Sequence, residues 1–249
     1  MAKVTGRLVE VFPSIQGEGL QVGVMQLFIR FAGCNLACRH CDTVHLREAG
    51  ATFPLQPWPG HRPRPLPNPV GVDELVAALE EAYPLDDFHS ISMTGGEPLG
   101  QPAFLLRLVR RLQEKRRAVF IETNGTLPDP VPELVPYVSY WSVDLKLSKG
   151  WGLPGTILGK HRRFLAALPP EKTYLKLVID ANDDPEDVCR HLGDGRFRAF
   201  PLVIQPLATA QSTLMDWDSF SILEWMRLLR PFFREVRWIP QVHKLLRIP

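Results

Sequence analysis

Apolar positions follow two rhythms that alternate along this chain. Short, nearly continuous apolar runs at Met25 to Phe31, His89 to Thr94, Ala118 to Glu122, Val138 to Leu145, Tyr174 to Asp180 and Leu202 to Gln205 read as buried strands. Between them the spacing turns helical. Val72, Leu75, Val76, Leu79, Ala82 and Tyr83 share one face, with Asp73 and Glu74 in the first turn where the helix dipole favours acids. Phe104, Leu105, Leu108, Val109 and Leu112 do the same over Ala103 to Lys115, whose arginines are expected to solvate the opposite face, with phosphate binding as the sharper alternative. Further helices are expected at Lys160 to Leu168, Pro185 to Leu192 and Ser219 to Leu229, and a last strand near Val236 to Val242. Strands alternating with helices mean parallel β-α units, so the predicted class is α/β, a partial (βα)6 TIM-like barrel with N- and C-terminal extensions.

Two stretches break the rhythm. Leu8 to Phe12 reads as a short strand ahead of a loop, Pro13 to Gly19, whose Gln16 and Glu18 are free to face a ligand or simply water. Residues 53–70 carry seven prolines and can be neither helix nor central strand, which predicts an extended surface insertion. A ligand for a proline-recognition module is the sharper alternative there.

Composition narrows the function. The chain has 249 residues, 45% apolar and 22% charged, enough for one domain with a sizeable core. A formal net charge of +2 argues against a nucleic-acid or membrane-surface binder and favours small-molecule chemistry. No apolar run approaches the ~18 residues that span a bilayer, and the N-terminus lacks a signal peptide's apolar core, so a cytoplasmic location is expected.

Three of the four cysteines, Cys34, Cys38 and Cys41, fall within Cys34-Asn-Leu-Ala-Cys38-Arg-His-Cys41-Asp42-Thr43. Three thiolates so spaced can hold a cubane iron-sulfur cluster and leave one iron open to a small molecule. Zinc would want a fourth ligand, for which His40 and His45 are at hand, and a disulfide framework pairs poorly with the distant Cys189, which reads as a small core residue. In parallel β-α architectures ligands sit beyond the C-terminal ends of the strands. Those positions hold Thr94-Gly95-Gly96-Glu97-Pro98, Glu122 and Asn124, Asp144, Lys146 and Ser148, and Gln205. Each could be an ordinary polar strand end, yet buried charges such as Asp144 and Lys146 need partners.

The C-x3-C-x2-C spacing together with Gly95-Gly96-Glu97-Pro98 resembles the radical S-adenosylmethionine enzymes. Ile15-Gln16-Gly17-Glu18-Gly19, Arg30, Cys41-Asp42-Thr43, Glu122-Thr-Asn-Gly125 and Gln241-Val-His243-Lys244 narrow the resemblance, over nearly the whole chain, to the 7-carboxy-7-deazaguanine synthase family. The resemblance implies a single domain over 1–249, a 4Fe-4S cluster on Cys34, Cys38 and Cys41, and S-adenosylmethionine cleaved reductively on it. It also implies conversion of 6-carboxy-5,6,7,8-tetrahydropterin to 7-carboxy-7-deazaguanine with loss of ammonia, in queuosine and 7-deazapurine biosynthesis. His40, Asp42, Gly96, Glu97, Asn124, Asp144, Lys146, Ser148 and Gln205 would contact S-adenosylmethionine. Ile15, Gln16, Gly17, Glu18, Arg30, Thr94, Glu122, His243 and the Pro249 carboxylate would contact the pterin, with Glu122 and Arg30 as the catalytic candidates. Thr43, on its residue type alone a helix cap, would help hold Mg2+. A flavodoxin- or ferredoxin-type reductant and a homodimer are expected. Leu245, Leu246 and Ile248 are expected to be buried and to aim the terminal carboxylate. Asp144-Leu-Lys146 departs from the Ser-Pro-Lys that many relatives carry. A glycyl-radical activase shares the cysteine and Gly-Gly-Glu-Pro motifs but is disfavoured by Gln16-Gly-Glu-Gly and Arg30. An iron-sulfur carrier or a zinc module would leave the strand-end residues idle.

Overall fold

The computed structural model describes residues 3–39, 41, 48–58, 62–146, 157–193, 197–207 and 217–248. The described strands are β1 (Thr5–Gly6), β2 (Leu8–Ile15), β3 (Met25–Phe31), β4 (Thr52–Leu55), β5 (Arg64–Pro67), β6 (Val70–Gly71), β7 (Ser90–Gly95), β8 (Val119–Thr123), β9 (Tyr140–Asp144), β10 (Thr173–Ile179), β11 (Pro201–Pro206) and β12 (Glu235–Trp238). β1 pairs with β6, and the others form a central ten-stranded sheet of order β12-β11-β10-β9-β8-β7-β3-β2-β4-β5. Seven of these strands, β3 (Met25–Phe31), β7 (Ser90–Gly95), β8 (Val119–Thr123), β9 (Tyr140–Asp144), β10 (Thr173–Ile179), β11 (Pro201–Pro206) and β12 (Glu235–Trp238), run parallel and lie in chain order. The six predicted barrel strands are thus followed by the expected last strand, β12, and the described sheet stays open. Every residue of β10 and β11 is buried, as strands covered on both faces require.

Helices α1 (Val72–Ala82), α2 (Pro102–Glu114), α3 (Val131–Leu134), α4 (Ile157–Ala166), α5 (Pro185–Leu192) and α6 (Ser219–Leu229) fill the crossovers. Their ends follow local chemistry. Asp184 caps α5 by accepting from the Glu186 N–H at 2.9 Å, and Gly193 at φ +64° ends it. The basic face of α2 meets acids of α1 and α2 as well as water: Arg107 pairs with Asp73 at 3.2 Å, Lys115 with Glu80 at 2.5 Å and Arg111 with Glu114 at 2.7 Å.

Three expectations need correction. β2 (Leu8–Ile15) does not stop before Pro13 but continues antiparallel to β3, because the ladder tolerates a proline near a strand's end. The proline-rich segment is not loop throughout: β4 (Thr52–Leu55) and β5 (Arg64–Pro67) form a hairpin at the sheet border, where missing N–H groups do least harm, and bury Phe53, Leu55 and Leu66. The last strand ends at Trp238, and Val242 opens a short helix, α7 (Val242–Leu246), on which Leu245 and Leu246 are 57% and 55% exposed rather than buried.

Candidate active site

One cavity of about 240 Å³ opens at the C-terminal ends of the parallel strands. Register brings its walls together: Arg30 lies beside Thr94, Glu122 beside Ser142, Asp144 beside Lys176 and Val178 beside Gln205.

Cys34, Cys38 and Cys41 line one end. Among the described residues no three His, Cys, Asp or Glu side chains close tightly enough for a single metal ion. A cubane asks for less, since each thiolate sits on a different iron. The loop is held against β7 and β8. Gly96 N donates to Phe31 O at 2.9 Å and Glu97 N to Gly33 O at 2.8 Å, and a Cβ on Gly96 would come within 1.8 Å of the Gly33 carbonyl oxygen. Only glycine fits there. Asn124 Nδ2 donates to Asn35 Oδ1 at 2.9 Å and toward Cys34 Sγ at 3.7 Å, and Leu36 N donates to the same sulfur at 3.4 Å. Burial pushes the Cys34 and Cys38 thiols up, so binding of iron has to displace their protons.

Glu97 is placed differently from the sequence reading. It is 1% exposed and does not line the cavity. Its carboxylate accepts from Leu99 N at 3.1 Å, Thr123 Oγ1 at 2.9 Å and Asn124 N at 2.8 Å, so it splices the β7 turn to the β8 turn from behind. Burial nevertheless pushes its pKa up to about 7. The backbone of Gly95 and Gly96 is what faces the cavity.

Glu122 stands at the opposite wall. Gln16 Nε2 donates to its Oε1 at 2.8 Å and Thr94 Oγ1 to its Oε2 at 2.8 Å. Gln16 also donates to Gln26 Oε1 at 3.0 Å and accepts from Glu18 N at 3.0 Å, so its amide acts as a brace for Glu122. Arg30 lies 4.8 Å above the Phe12 ring and 3.0 Å from Glu10. Phe12 in turn stacks on Phe28 at 5.1 Å, giving the cavity an aromatic floor. Ile15, 38% exposed, lies at the rim.

Between the two ends runs a chain of charges. Lys176 Nζ pairs with Glu18 Oε2 and lies 4.0 Å from Asp144 Oδ2, which Lys146 Nζ approaches to 2.6 Å. Gln241 Nε2 donates to Glu18 Oε1 at 2.8 Å, with His243 Nδ1 at 3.8 Å. Burial pulls the Glu18 carboxyl upward, but Lys176, Gln241 and His243 outweigh it and hold it well below the usual carboxylate range. Burial likewise opposes the charge on Lys176, and Glu18, Asp144 and Glu122 more than restore it. Both groups stay ionised. Gln205 is fully buried on the cavity wall with neither amide atom hydrogen-bonded, and Asp144 Oδ1 also accepts nothing. Such orphans are what a polar ligand satisfies.

The structure thus gathers Ile15, Gln16, Gly17, Glu18, Arg30, the three cysteines, Thr94, Gly96, Glu122, Asn124, Asp144, Lys146, Gln205 and His243 around one space. His40, Asp42, Thr43, Ser148 and Pro249 lie outside the described residues. Sequence reasoning missed Lys176, Ser142, Gln241, Phe12 and Phe28. Lys176 had a signal: it is the one charge in an otherwise uncharged strand of seven residues.

Residues 28–146 match the family model described as the Radical SAM superfamily. Membership of that class implies an iron-sulfur cluster and S-adenosylmethionine, and the cysteine rim and the unpartnered amide and carboxylate oxygens of this cavity suit both. The chain is 34% identical to the 7-carboxy-7-deazaguanine synthase of Geobacter sulfurreducens over 99% of each chain, and 34% identical to that of Methanopyrus kandleri over 95% of this chain and 92% of the relative. The enzyme of the same name from Hyperthermus butylicus is 41% identical over 98% and 93%. The chain belongs to the 7-carboxy-7-deazaguanine synthase family. Its fold is shared with the crystal structure of QueE from Escherichia coli, at a TM-score of 0.58 and 21% identity over 96% of this chain and 95% of that one.

Proposed function

We propose that this chain, acting as one radical S-adenosylmethionine domain, converts 6-carboxy-5,6,7,8-tetrahydropterin to 7-carboxy-7-deazaguanine and ammonia in 7-deazapurine biosynthesis. The observation that carries the reading is the convergence of the cysteine trio with Arg30, Glu122 and Glu18 on one cavity in a chain related end to end to the named synthases. When bound, the cluster and S-adenosylmethionine supply a carbon-centred radical that abstracts a hydrogen atom. The chain's own residues do the rest. Arg30, braced on Phe12, holds the substrate carboxylate through a charge-assisted pair. Glu122, gripped by Gln16 and Thr94, accepts from a ring N–H and can carry a proton while the ring contracts. Ionised Glu18 is a second acceptor, and Phe12 and Phe28 exclude water from the bicycle's face. Asn124, Asp144, Lys146, Gln205 and the Gly95-Gly96 backbone are assigned to S-adenosylmethionine, with Glu97 holding that turn in shape.

The finer assignments are Mg2+ at Thr43, a flavodoxin- or ferredoxin-type electron donor, a cytoplasmic location and a homodimer. No described helix is long and apolar enough to cross a membrane. Phe220 and Leu223, 77% and 65% exposed on α6, supply an apolar face for self-association.

Anaerobic reconstitution with iron and sulfide, reduction, and incubation with S-adenosylmethionine and the carboxytetrahydropterin should yield 5'-deoxyadenosine together with a product of the mass of 7-carboxy-7-deazaguanine. Release of 5'-deoxyadenosine with the pterin unchanged would overturn the substrate assignment.

A further inference from the structure

The five-residue helix α7 is too short to be stable alone, and none of its residues is buried. Polar contacts fasten it to the loop after β2: Val242 N donates to Gly17 O at 2.9 Å, Gln241 Nε2 to Glu18 Oε1 at 2.8 Å, and His243 Nδ1 stands 3.8 Å from Glu18 Oε1. Gln241 and His243 in this way become part of the cavity wall. Glu18 is the shared anchor. What fixes Glu18 is the ammonium group of Lys176, which rises from the buried strand β10 and reaches the oxygen that Gln241 leaves free. Of the two other carboxylates that act on Lys176, Glu122 is held by Gln16 and Thr94, and Asp144 has a better cation, its Oδ2 lying 2.6 Å from Lys146 and 4.0 Å from Lys176. Lys176 is therefore committed to the Glu18 side.

We propose that Lys176 is a positioning residue that, through Glu18, holds the C-terminal turn against the cavity and so sets how tightly substrate is retained, without governing the cysteine end. The substrate half rests on the pterin reading above; the clamping of the turn does not.

The test uses cluster-loaded, unreduced protein under anaerobic conditions, comparing wild type with Lys176→Met and Lys176→Arg. Hydrogen exchange by mass spectrometry should show the amides of 242–248 in Lys176→Met exchanging at least about tenfold faster, with those of β10 and β11 unchanged. Affinity for 6-carboxy-5,6,7,8-tetrahydropterin should fall by about tenfold or more, and that for S-adenosylmethionine by less than about threefold. In turnover the same variant should raise KM for the pterin with kcat nearly unchanged, and Lys176→Arg, which keeps the charge, should restore most of both effects. Wild-type protection of 242–248 in Lys176→Met overturns the proposal, as does loosening of β10 and loss of both ligands together, the signature of a merely structural lysine. Glu18→Gln removes the ion pair with Lys176 left in place, and unchanged protection there overturns the proposal even if Lys176→Met does not fold. A turn that loosens as expected in a protein that binds no pterin would refute the substrate reading and leave the clamp standing. Pterin binding that ignores Lys176 while the turn loosens would overturn the claim that the clamp sets substrate retention and leave the pterin reading standing.

Discussion

Gln205 sits fully buried with both amide atoms unpaired, an arrangement that costs about 1–3 kcal/mol in the ligand-free fold. Gln205→Leu should therefore unfold at higher urea concentration than wild type while binding S-adenosylmethionine at least about tenfold more weakly, a pair of results checked by urea melts and equilibrium dialysis. His161 makes a pH-dependent contribution. Burial, outweighing the nearby Asp144, pushes its imidazole from 6.5 down to about 4, and its Nε2 accepts from the Lys146 N–H at 3.3 Å. Between these values the unfolded chain binds the proton that the fold rejects, so the stability it contributes is present above pH 6.5 and lost as pH falls through about 4. His161→Gln should shrink the difference between unfolding free energies at pH 7 and pH 4 by on the order of 3 kcal/mol. At this scale the sequence revealed strand-end residues such as Glu122, Asp144 and Gln205, because a parallel sheet has only one end where a ligand fits. It could not reveal that Glu97 would spend its carboxylate on Thr123, Asn124 and Leu99, since that depends on how two turns meet.

Among the elements, those with a long period were legible and those decided by neighbours were not. The α1, α2, α5 and α6 patterns each predict the observed helix within two residues, because burial of one face fixes the period. The prolines hid the β4–β5 hairpin, whose pairing depends on its place beside β2 rather than on local preference. The turn to α7 was equally hidden: Val236 to Val242 has strand-like composition, but pairing with β11 covers Glu235–Trp238 and ends with a bond from Ile239 N to Ile204 O at 3.0 Å. The fit of α7 on the loop after β2 makes Gly17 critical, because a Cβ there would lie 2.5 Å from both Cβ and Nδ1 of His243. Gly17→Ala should drive the two apart and weaken pterin binding by about tenfold, roughly 1.4 kcal/mol, while S-adenosylmethionine titrations remain like wild type.

For the whole molecule, the ordered sequence of parallel strands gathers residues from Ile15 to His243 at one end of the sheet and leaves the fourth cysteine elsewhere. Cys189 is half-buried on α5, with its thiol donating to Leu228 O at 3.5 Å. Cys189→Ala should keep about four irons per chain after anaerobic reconstitution, whereas Cys38→Ala should lose them, as iron analysis and the visible absorption band would report. Among the described residues the open sheet ends at two border strands, each a row of backbone groups on which another molecule's strand could grow. At one border β12 alternates charge with apolar residues through Glu235 and Arg237, which repel a dry, flat partner. At the other, β5 carries Pro65 and Pro67, residues that have no N–H to offer an incoming strand. The proline-rich segment thus does more than shelter Phe53 and Leu66: it leaves that border short of N–H donors, which disfavours growth of the sheet edge to edge.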